Sequence, residues 1–335
     1  MERALQYNLV GDNIIKCSLC NHRCRIKDGN RGICGVRINK KGILYSDTYA
    51  MVSSVALDPI EKKPLYHFLP GTVCYSIGSI GCNFSCSHCQ NWHISQDWHN
   101  EVRIQKIEPE TIVNNAQKNM CQSIAFTYNE PTLSHEYALN VCKLAHLKFI
   151  KTAYVTNGYI TEEALREIAP FLDAFRVDLK AFSEEFYHSV CKAKLEPVLN
   201  TCKLAKELGL HVEIVTLIIP GLNDDSLQLK EMINWVIREL GPETPFHFTR
   251  FHPDFEMRDR ESTPVKTLEK IYLCAKELGI QYPYLGNVAG HKYENTYCHS
   301  CGNLLIERYG YSISKNGLSG NHCNRCKETI PVTIS

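Results

Sequence analysis

The sequence lacks the features that place a protein at a membrane or on a nucleic acid. No uninterrupted apolar run approaches the roughly 20 residues of a membrane-spanning helix. Its 335 residues include 37 basic and 36 acidic side chains, a net charge of +1, so no excess charge indicates nucleic acid or an anionic surface as a partner. The first residues contain no apolar export signal. We therefore expect a cytoplasmic protein.

Cysteine, by contrast, is abundant, with 17 residues in the chain. Thiols of a protein that is not exported stay reduced, so clustered cysteines predict metal binding rather than disulfide bonds. Most of them fall into three sets. The others lie in or beside predicted strands and helices, and we expect most of these to be small buried apolar side chains. They are Cys74, Cys121, Cys142, Cys191, Cys202 and Cys274.

The central set has the spacing C-x3-C-x2-C and consists of Cys82, Cys86 and Cys89. Three thiolates on one loop can hold three corners of a [4Fe–4S] cluster, and a fourth cysteine would complete it. None follows nearby, so one iron is left for a ligand from outside the protein. The alternative is a zinc site completed by His88 or His93, which is less favoured because structural zinc sites usually pair two short knuckles.

The N-terminal set consists of four cysteines among basic residues and turn-forming glycines. Four thiols suit one closed tetrahedral site, so zinc is the first interpretation. An auxiliary iron–sulfur cluster is the alternative, since C-x2-C-x3-C also suits a cluster loop. The spacing does not separate the two. The residues are Cys17, Cys20, Cys24 and Cys34.

The C-terminal set consists of two C-x2-C knuckles with 21 residues between them, a spacing typical of a zinc ribbon. Zinc bound there would supply folding energy that such a short segment lacks. The residues are Cys298, Cys301, Cys323 and Cys326.

Between the outer sets, β-strand patterns alternate with helix patterns, which predicts βαβ units and a parallel sheet. About six units are fewer than a closed eightfold barrel needs. We expect an α/β fold, an open TIM-like (β/α)6 partial barrel. The predicted domains are a Cys-rich segment at 1–70, the partial barrel at 71–290 and a zinc-ribbon-like module at 291–335.

Polar residues follow each predicted strand, and the central cysteine loop follows the first. In parallel α/β folds the carboxyl ends of the strands form one site, so we expect these groups to share a pocket. The other groups are Tyr128–Thr132, Thr156 with Asn157, Asp178 with Lys180, Asn223–Asp225, and Arg250 with His252.

Two features stay open. The proline-interrupted stretch at 58–71 is either a linker that packs its aromatic residues or a pocket wall using Lys62, Lys63 and His67. His247 and His252 either reach the pocket or serve as core or capping residues.

Taken together, these motifs resemble one family. The residues are Gly81–Trp92, Thr127–Thr132, Val155–Gly158, Asp178–Lys180, Ile219–Asp224 and Leu285–Asn287. They are similar to the AmmeMemoRadiSam-system radical SAM enzymes, relatives of the pyruvate formate-lyase-activating enzymes. The four-cysteine N-terminus and Ile60–Leu65 also resemble that family, so the likeness extends over nearly the whole chain.

The resemblance implies an enzyme, an oxidoreductase of the activating-enzyme type. S-adenosylmethionine (SAM) would bind the open iron and be cleaved to a 5′-deoxyadenosyl radical that takes hydrogen from a protein, peptide or small-molecule substrate. The implied partners are an electron donor such as flavodoxin or ferredoxin, and Memo-like and AMMECR-like proteins. The SAM contacts implied are His88, Asn129, Glu130, Asn157, Asp178 and Lys180. Asn129 departs from the family's Gly-Gly-Glu-type motif, although the acid of that motif is kept.

Two other functions would also use these cysteines. A zinc-dependent protein that binds RNA or another protein would contain zinc and no iron. An iron–sulfur electron-transfer protein would contain iron that does not respond to SAM. Neither needs a pocket at the ends of a parallel sheet.

Overall fold

The computed structural model describes residues 1–99 and 102–334, and its centre is an eight-stranded sheet. The strands lie side by side in chain order. The first pairs antiparallel with the second, and all later pairings are parallel. Their bounds are β1 (Ser54–Pro59), β2 (Val73–Gly78), β3 (Ser123–Phe126), β4 (Lys151–Thr156), β5 (Ala174–Asp178), β6 (His211–Ile218), β7 (Phe246–Arg250) and β8 (Pro283–Gly286).

The prediction of an α/β fold with a parallel sheet is confirmed, and six of the parallel strands, β2 to β7, are each followed by a helix of seven or more residues before the next strand. Seven strands, β2 to β8, are parallel, and β1 adds an antiparallel edge. β1 was not predicted, because its residues alternate between partial burial and exposure and end at Pro59, as those of edge strands do. Within the described residues no strand pairing joins β1 to β8, so hydrogen bonds do not close the sheet into a barrel.

Six longer helices connect the parallel strands. They are α1 (Pro109–Lys118), α2 (His135–Leu147), α3 (Glu162–Ile168), α4 (Leu195–Glu207), α5 (Ser226–Leu240) and α6 (Val265–Leu278). Local sequence explains several helix ends. Asp225 accepts bonds from the first-turn amides of α5, and Thr161 accepts one from Ala164 in α3. No helix in the described part of the chain is both long and apolar enough to cross a membrane.

The face of the sheet away from these helices is here called the inner face. Near the starts of β2 to β5 it carries small side chains. Cys74 of β2, Ala125 of β3 and Ala153 of β4 pack there against Ile60 and Phe68. The stretch at 58–71 therefore packs its apolar residues onto the sheet, as the linker interpretation predicts.

A polar network lies on the inner face at β6 and β7. The Glu213 carboxylate on β6 accepts bonds from the backbone N–H groups of Tyr66 and His67, and from His211 and His247. Arg308, from the C-terminal segment, donates to the Tyr66 carbonyl and lies over its ring. Residues from the linker, the sheet and the tail thus meet in one buried cluster.

The terminal segments form small antiparallel sheets. At the N-terminus, strands at Tyr7–Gly11, Ile14–Cys17 and Arg25–Ile26 form one sheet, and Glu2–Arg3, Arg37–Lys40 and Ile43–Ser46 form another. The last two of these strands pair as a hairpin. At the C-terminus, Thr296–Tyr297, Leu304–Tyr309 and Ser312–Asn316 form one sheet, and Leu318–Ser319 pairs with His322–Cys323. Met51–Val52 pairs with Gln105–Lys106.

Candidate active site

The loop after β2 contains the three central cysteines and is fixed at its start by glycine. Gly81 has a φ of +82°, and a Cβ there would lie 2.8 Å from the Val36 side chain. Asn129, beyond β3, accepts a bond from the Ser79 amide (2.9 Å) and donates one to the Gly81 carbonyl (2.9 Å). The Asn129 amide therefore braces this loop with both of its polar atoms.

The sulfurs of this loop lie in a setting that suits metal ligands. The Phe84 amide and the Asn157 side-chain amide donate to Cys82 Sγ at 3.4 and 3.8 Å. Such N–H···S bonds stabilise thiolate ligands. Burial raises the pKa of the Cys82 thiol well above its usual range, so forming the thiolate costs free energy that metal binding would have to supply. Three sulfurs facing one cavity fit a cluster with one open corner.

A cavity of about 680 Å³ opens at the carboxyl ends of the parallel strands, and it contains the predicted site. Its lining includes all three central cysteines together with every side chain for which the resemblance implied SAM contact: His88, Asn129, Glu130, Asn157, Asp178 and Lys180. The polar groups after β2, β3, β4 and β5 do meet at one place. Those after β6 and β7 do not line the cavity; Asn223, for example, donates to the Lys180 carbonyl and fixes a turn.

His88, next to Cys89 in the sequence, is buried within this wall. Burial, followed by the charge of Lys180, lowers the pKa of His88 to about 3, so the imidazole is neutral at physiological pH. Its Nδ1 has no hydrogen-bond partner within the described residues. An uncharged ring with a free nitrogen is available to a ligand in the cavity.

Glu130 is buried and joins the ends of two strands. Its carboxylate accepts bonds from Thr132, from the Thr156 hydroxyl (2.7 Å) and from the Asn157 amide (2.8 Å). Burial raises the pKa of Glu130 above its usual range. Its Oε1 atom accepts the bonds from Thr132 and Thr156, and among the described residues its Oε2 atom accepts only the bond from the Asn157 amide. The residue also lines the cavity.

Asp178, at the end of β5, lies between two cations. Lys180 Nζ is 2.8 Å from one carboxylate oxygen, and an Arg176 nitrogen is 2.6 Å from the other. Burial opposes the charge, but Arg176 and Lys180 hold the pKa of Asp178 below its usual range. The trio presents fixed charges of both signs to the cavity, an arrangement suited to a zwitterionic ligand.

Sequence reasoning missed Arg176, although a signal was present. Side chains two residues apart on a strand point to the same face, so Arg176 had to lie beside Asp178. It also did not place Cys191 beside the central loop, where the Cys191 carbonyl accepts a bond from the Ser85 amide (3.1 Å) and the thiol raises the pKa of Cys86. Cys191 reaches this position through an irregular helical turn at Tyr187–Cys191, which no sequence pattern announced. The other five unassigned cysteines are buried or half-buried, as predicted.

The wall opposite the cysteine loop comes from the linker and the C-terminal hairpin. It includes Lys63 from the linker, with Gly310 and Tyr311 from the hairpin. Asp58 fixes this part, since it accepts bonds from Lys63 (2.6 Å) and Tyr128 (2.7 Å).

The structure places each residue of the two predictions that stayed open, the stretch at 58–71 and the two histidines. Lys62 and Lys63 line the cavity, whereas His67 is buried below it and bonds Tyr284. His247 is a core histidine paired with Glu213, and His252 contacts Gln90 of the cysteine loop from outside the cavity lining.

The two outer cysteine sets differ in geometry. Among the described residues, the C-terminal set is the one group of three or more Cys, His, Asp or Glu side chains whose ligand atoms all lie within 4.8 Å of one another. The four N-terminal thiols line one small cavity beneath the loop at 17–34 without reaching that mutual distance.

Comparisons with known proteins agree with this geometry. A profile of the Radical SAM superfamily matches residues 76–235, which include the central cysteines and β2 to β6. Uncharacterized protein MJ0808 of Methanocaldococcus jannaschii is 45% identical over 336 residues, covering 100% of both chains. A pyruvate formate-lyase-activating enzyme of Clostridium pasteurianum is 22% identical, over 59% of this chain and 88% of that one.

Among solved structures, a radical SAM methyltransferase from Sphaerobacter thermophilus has a similar fold. The TM-score is 0.52 with 16% sequence identity, and the match covers 71% of each chain. This likeness concerns the fold of the central sheet and its helices.

Proposed function

The chain belongs to the radical SAM superfamily, and from that premise we propose that it cleaves SAM reductively at a [4Fe–4S] cluster held by Cys82, Cys86 and Cys89. The observation that supports this most is the single cavity that these thiols share with the polar strand ends. When bound, the cluster and SAM supply a 5′-deoxyadenosyl radical that abstracts hydrogen from a substrate.

The residues of the chain would bind and orient SAM. Asp178 and Lys180 offer opposite charges to its ribose hydroxyls and its amino acid group. Glu130 holds the Asn157 backbone in place, and its carboxylate would be available to an amino group of the ligand. Neutral His88 would line the ligand pocket without adding charge. Asn129 would contribute to the same pocket, and it also braces the cysteine loop with both polar atoms of its side chain.

The part of the cavity beyond these residues would take the substrate. A volume of about 680 Å³ lies within the range of ligand sites, roughly 300–1,000 Å³, and leaves room beside SAM. Its outer wall, with Lys63 and Tyr311, belongs to segments that also exclude water from the sheet. We propose an activating-enzyme-like reaction on a protein, peptide or small molecule, with an electron donor such as flavodoxin or ferredoxin.

The finer assignment to the AmmeMemoRadiSam system, with Memo-like and AMMECR-like partners, is supported by motifs along nearly the whole chain. We also propose that the C-terminal cysteines bind zinc. Their paired sulfurs are 3.5 Å (Cys298 and Cys326) and 3.8 Å (Cys301 and Cys323) apart. These distances agree with the ~3.8 Å edge of a tetrahedron that has Zn–S bonds of about 2.3 Å.

The test is made on anaerobically purified protein. Electron paramagnetic resonance (EPR) spectra of the reduced chain should change when SAM is added, and 5′-deoxyadenosine should form. The triple variant Cys82→Ala/Cys86→Ala/Cys89→Ala should lose both responses, while Cys274→Ser, which removes a thiol on α6, should keep them. SAM cleavage by the triple variant would refute the proposal, and zinc alone in the wild type would favour a binding protein.

A further inference from the structure

We propose that Lys62 and Lys63 form a subsite for an anionic group of the substrate, a carboxylate or a phosphate, on the cavity wall opposite the cysteine loop. This rests on the proposed function, because it names the class of substrate on which the radical would act. Both lysines line the cavity, and neither is among the residues for which the resemblance implied contact with SAM. Their ammonium groups are therefore available to a second ligand.

The first argument is a count of charges around Asp58. Lys62 Nζ lies 2.8 Å from one Asp58 carboxylate oxygen, and Lys63 Nζ lies 2.6 Å from the other. A single negative charge thus faces two positive charges. The carboxylate can offset only one of them, so one positive charge remains beside the cavity.

The other two acids of this wall are bound elsewhere. Glu61 accepts a bond from the Gly71 amide (3.0 Å) and lies 3.7 Å from Arg308. Glu294 accepts a bond from the Gly290 amide (2.7 Å). Among the described residues, Asp58 is the one acid with which either of the two ammonium groups forms an ion pair.

The second argument is that the Lys63 ammonium is buried with too few partners. Its side chain is 3% exposed, and an ammonium group has three N–H donors. Within the described part of the chain it bonds Asp58 and lies over the Tyr128 ring, 4.6 Å from the centroid. At least one donor is left for a ligand. A buried charge with an unused donor costs free energy, which an anion in the cavity would offset.

The burial of Lys63 acts in the same direction. Burial lowers the pKa of Lys63 below its usual range, and the bond to Asp58 acts against that shift. An anion beside the ammonium would favour its charged form further. Binding of an anion and protonation of Lys63 therefore support each other.

The third argument is the fixed and strained geometry of the subsite. Tyr128 has a φ of +74°, in the left-handed region that bulky residues rarely adopt. In this conformation its ring lies beneath Lys63 and its hydroxyl donates to Asp58 (2.7 Å). A Cβ at Gly78 would lie 2.9 Å from the Tyr128 ring, so glycine leaves room for the ring there. Backbone strain of this kind concentrates at ligand-binding positions.

Tyr128 also connects the subsite to the cysteine side of the cavity. It directly precedes Asn129, whose side chain braces the cysteine loop. An anion at the lysines and SAM at the cysteine loop would then be held by opposite walls. The substrate carbon that loses hydrogen would lie between them.

Binding of inorganic phosphate provides the first test. The probe is titrated into the anaerobic protein with cluster and SAM bound and no reductant, and the broadening of its ³¹P resonance is measured. The wild type should show saturable binding. Lys63→Met, which removes the charge and keeps the chain length, should weaken it by about tenfold, the scale of one lost charge-assisted hydrogen bond. Equal affinity of the two proteins would overturn the inference.

Lys62 offers a second variant that disturbs the fold less, because its side chain is 43% exposed. Lys62→Met should weaken phosphate binding by about threefold, since water screens an exposed charge. Lys151→Met is the matched control: Lys151 is 47% exposed and lies 2.7 Å from Asp173, away from the cavity lining. An equal loss in the control would assign the phosphate to general surface charge and overturn the inference.

Asp58→Asn separates anion binding from structural support. If the lysines bind an anion, loss of the competing carboxylate should tighten phosphate binding several-fold. If they serve only to hold Asp58, its loss should weaken binding, as Lys63→Met does. Weaker binding by Asp58→Asn would therefore contradict the subsite.

The same titration with ¹³C-labelled acetate distinguishes the two anions. Tighter Lys63-dependent binding of phosphate indicates a phosphate ester as substrate, and tighter binding of acetate indicates a carboxylate. Binding of neither anion would refute the subsite. Failure of the proposed function gives a different result, namely EPR spectra of the reduced wild type that ignore SAM, whether or not phosphate binds.

Discussion

The N-terminal and C-terminal cysteine sets both contain four thiols, two of which are buried in each set, yet the groups beside them differ. In the C-terminal set, backbone N–H groups of Cys326 and Arg325 lower the pKa of the Cys323 thiol to about 6. In the N-terminal set, burial raises the pKa of the Cys17 thiol to about 11. The four sulfurs of the C-terminal set also lie within 4.8 Å of one another, which those of the N-terminal set do not. The difference teaches that cysteine number and short spacing do not define the chemical setting of a site; the separation of the sulfurs and the backbone groups beside them do.

The two sets also attach to different parts of the sheet. The N-terminal set contacts the loop after β4 and the central cysteine loop, at the carboxyl ends of the strands. The C-terminal set attaches to β8, where Tyr282 bonds His299 beside the first knuckle (2.8 Å). One set packs against the central cysteine loop, and the other packs beside the last strand of the sheet.

The largest effect should come from breaking the C-terminal set. Cys301→Ser should remove one zinc per chain and unfold the tail, because apparent binding energies of structural zinc are about 10–16 kcal/mol. Iron content should not change. Zinc analysis and limited proteolysis of the tail measure this, with Cys274→Ser as the control. A variant with full zinc and a protected tail would contradict the assignment.

The N-terminal set should depend instead on a buried ion pair. Arg37 lines its cavity and bonds Glu136 at 2.6 Å, with side-chain exposures of 1% and 4%. Arg37→Met leaves the Glu136 charge buried alone, which should cost about 3–5 kcal/mol of unfolding free energy and release N-terminal metal. Urea unfolding under nitrogen tests this. Arg37→Met/Glu136→Gln should recover part of the loss, and equal stability of single and double variants would argue against the pair.

A pH effect of intermediate size should appear where the tail joins the sheet. Burial lowers the pKa of His67 to about 3, against an ordinary 6.5. As pH falls below 6.5 the unfolded chain takes up this proton and the folded chain does not, so stability decreases. The expected loss is about 2 kcal/mol by pH 5. His67→Gln should show a smaller decrease of urea midpoint between pH 7 and 5, and identical slopes would contradict this.

The smallest effect should come from the junction of the N-terminal segment with α3. Thr161 caps that helix and donates to the Ser18 carbonyl at 2.6 Å. Thr161→Ala should cost about 1 kcal/mol, as should the cap variant Asp225→Ala on α5. Hydrogen exchange separates them, because only Thr161→Ala should increase exchange at 17–34. Faster exchange there in both variants would show that the junction is not specific.

Much of the fold and of the site followed from local sequence. Strand and helix patterns located the parallel units, and the central spacing identified the cluster loop, because these signals lie within a few residues. Arg176, Cys191 and β1 were missed for another reason. Their positions depend on a strand face, an irregular turn and an edge pairing, which are properties of the folded chain. The bonds from Asn157 to Asn83 and from Ser79 to Asn129 likewise join segments that are distant in the sequence.

Arg308 has a consequence for the order of biosynthesis. Its side chain donates to the Tyr66 carbonyl and lies 3.7 Å from the Glu61 carboxylate, and so it covers part of the inner face of the sheet. Arg308 belongs to Leu304–Tyr309, a strand near the end of the chain. A ribosome makes that strand only after every strand of the sheet has been made. The contacts of Arg308 with Tyr66 and Glu61 can therefore form only near the end of synthesis, however early the sheet itself pairs.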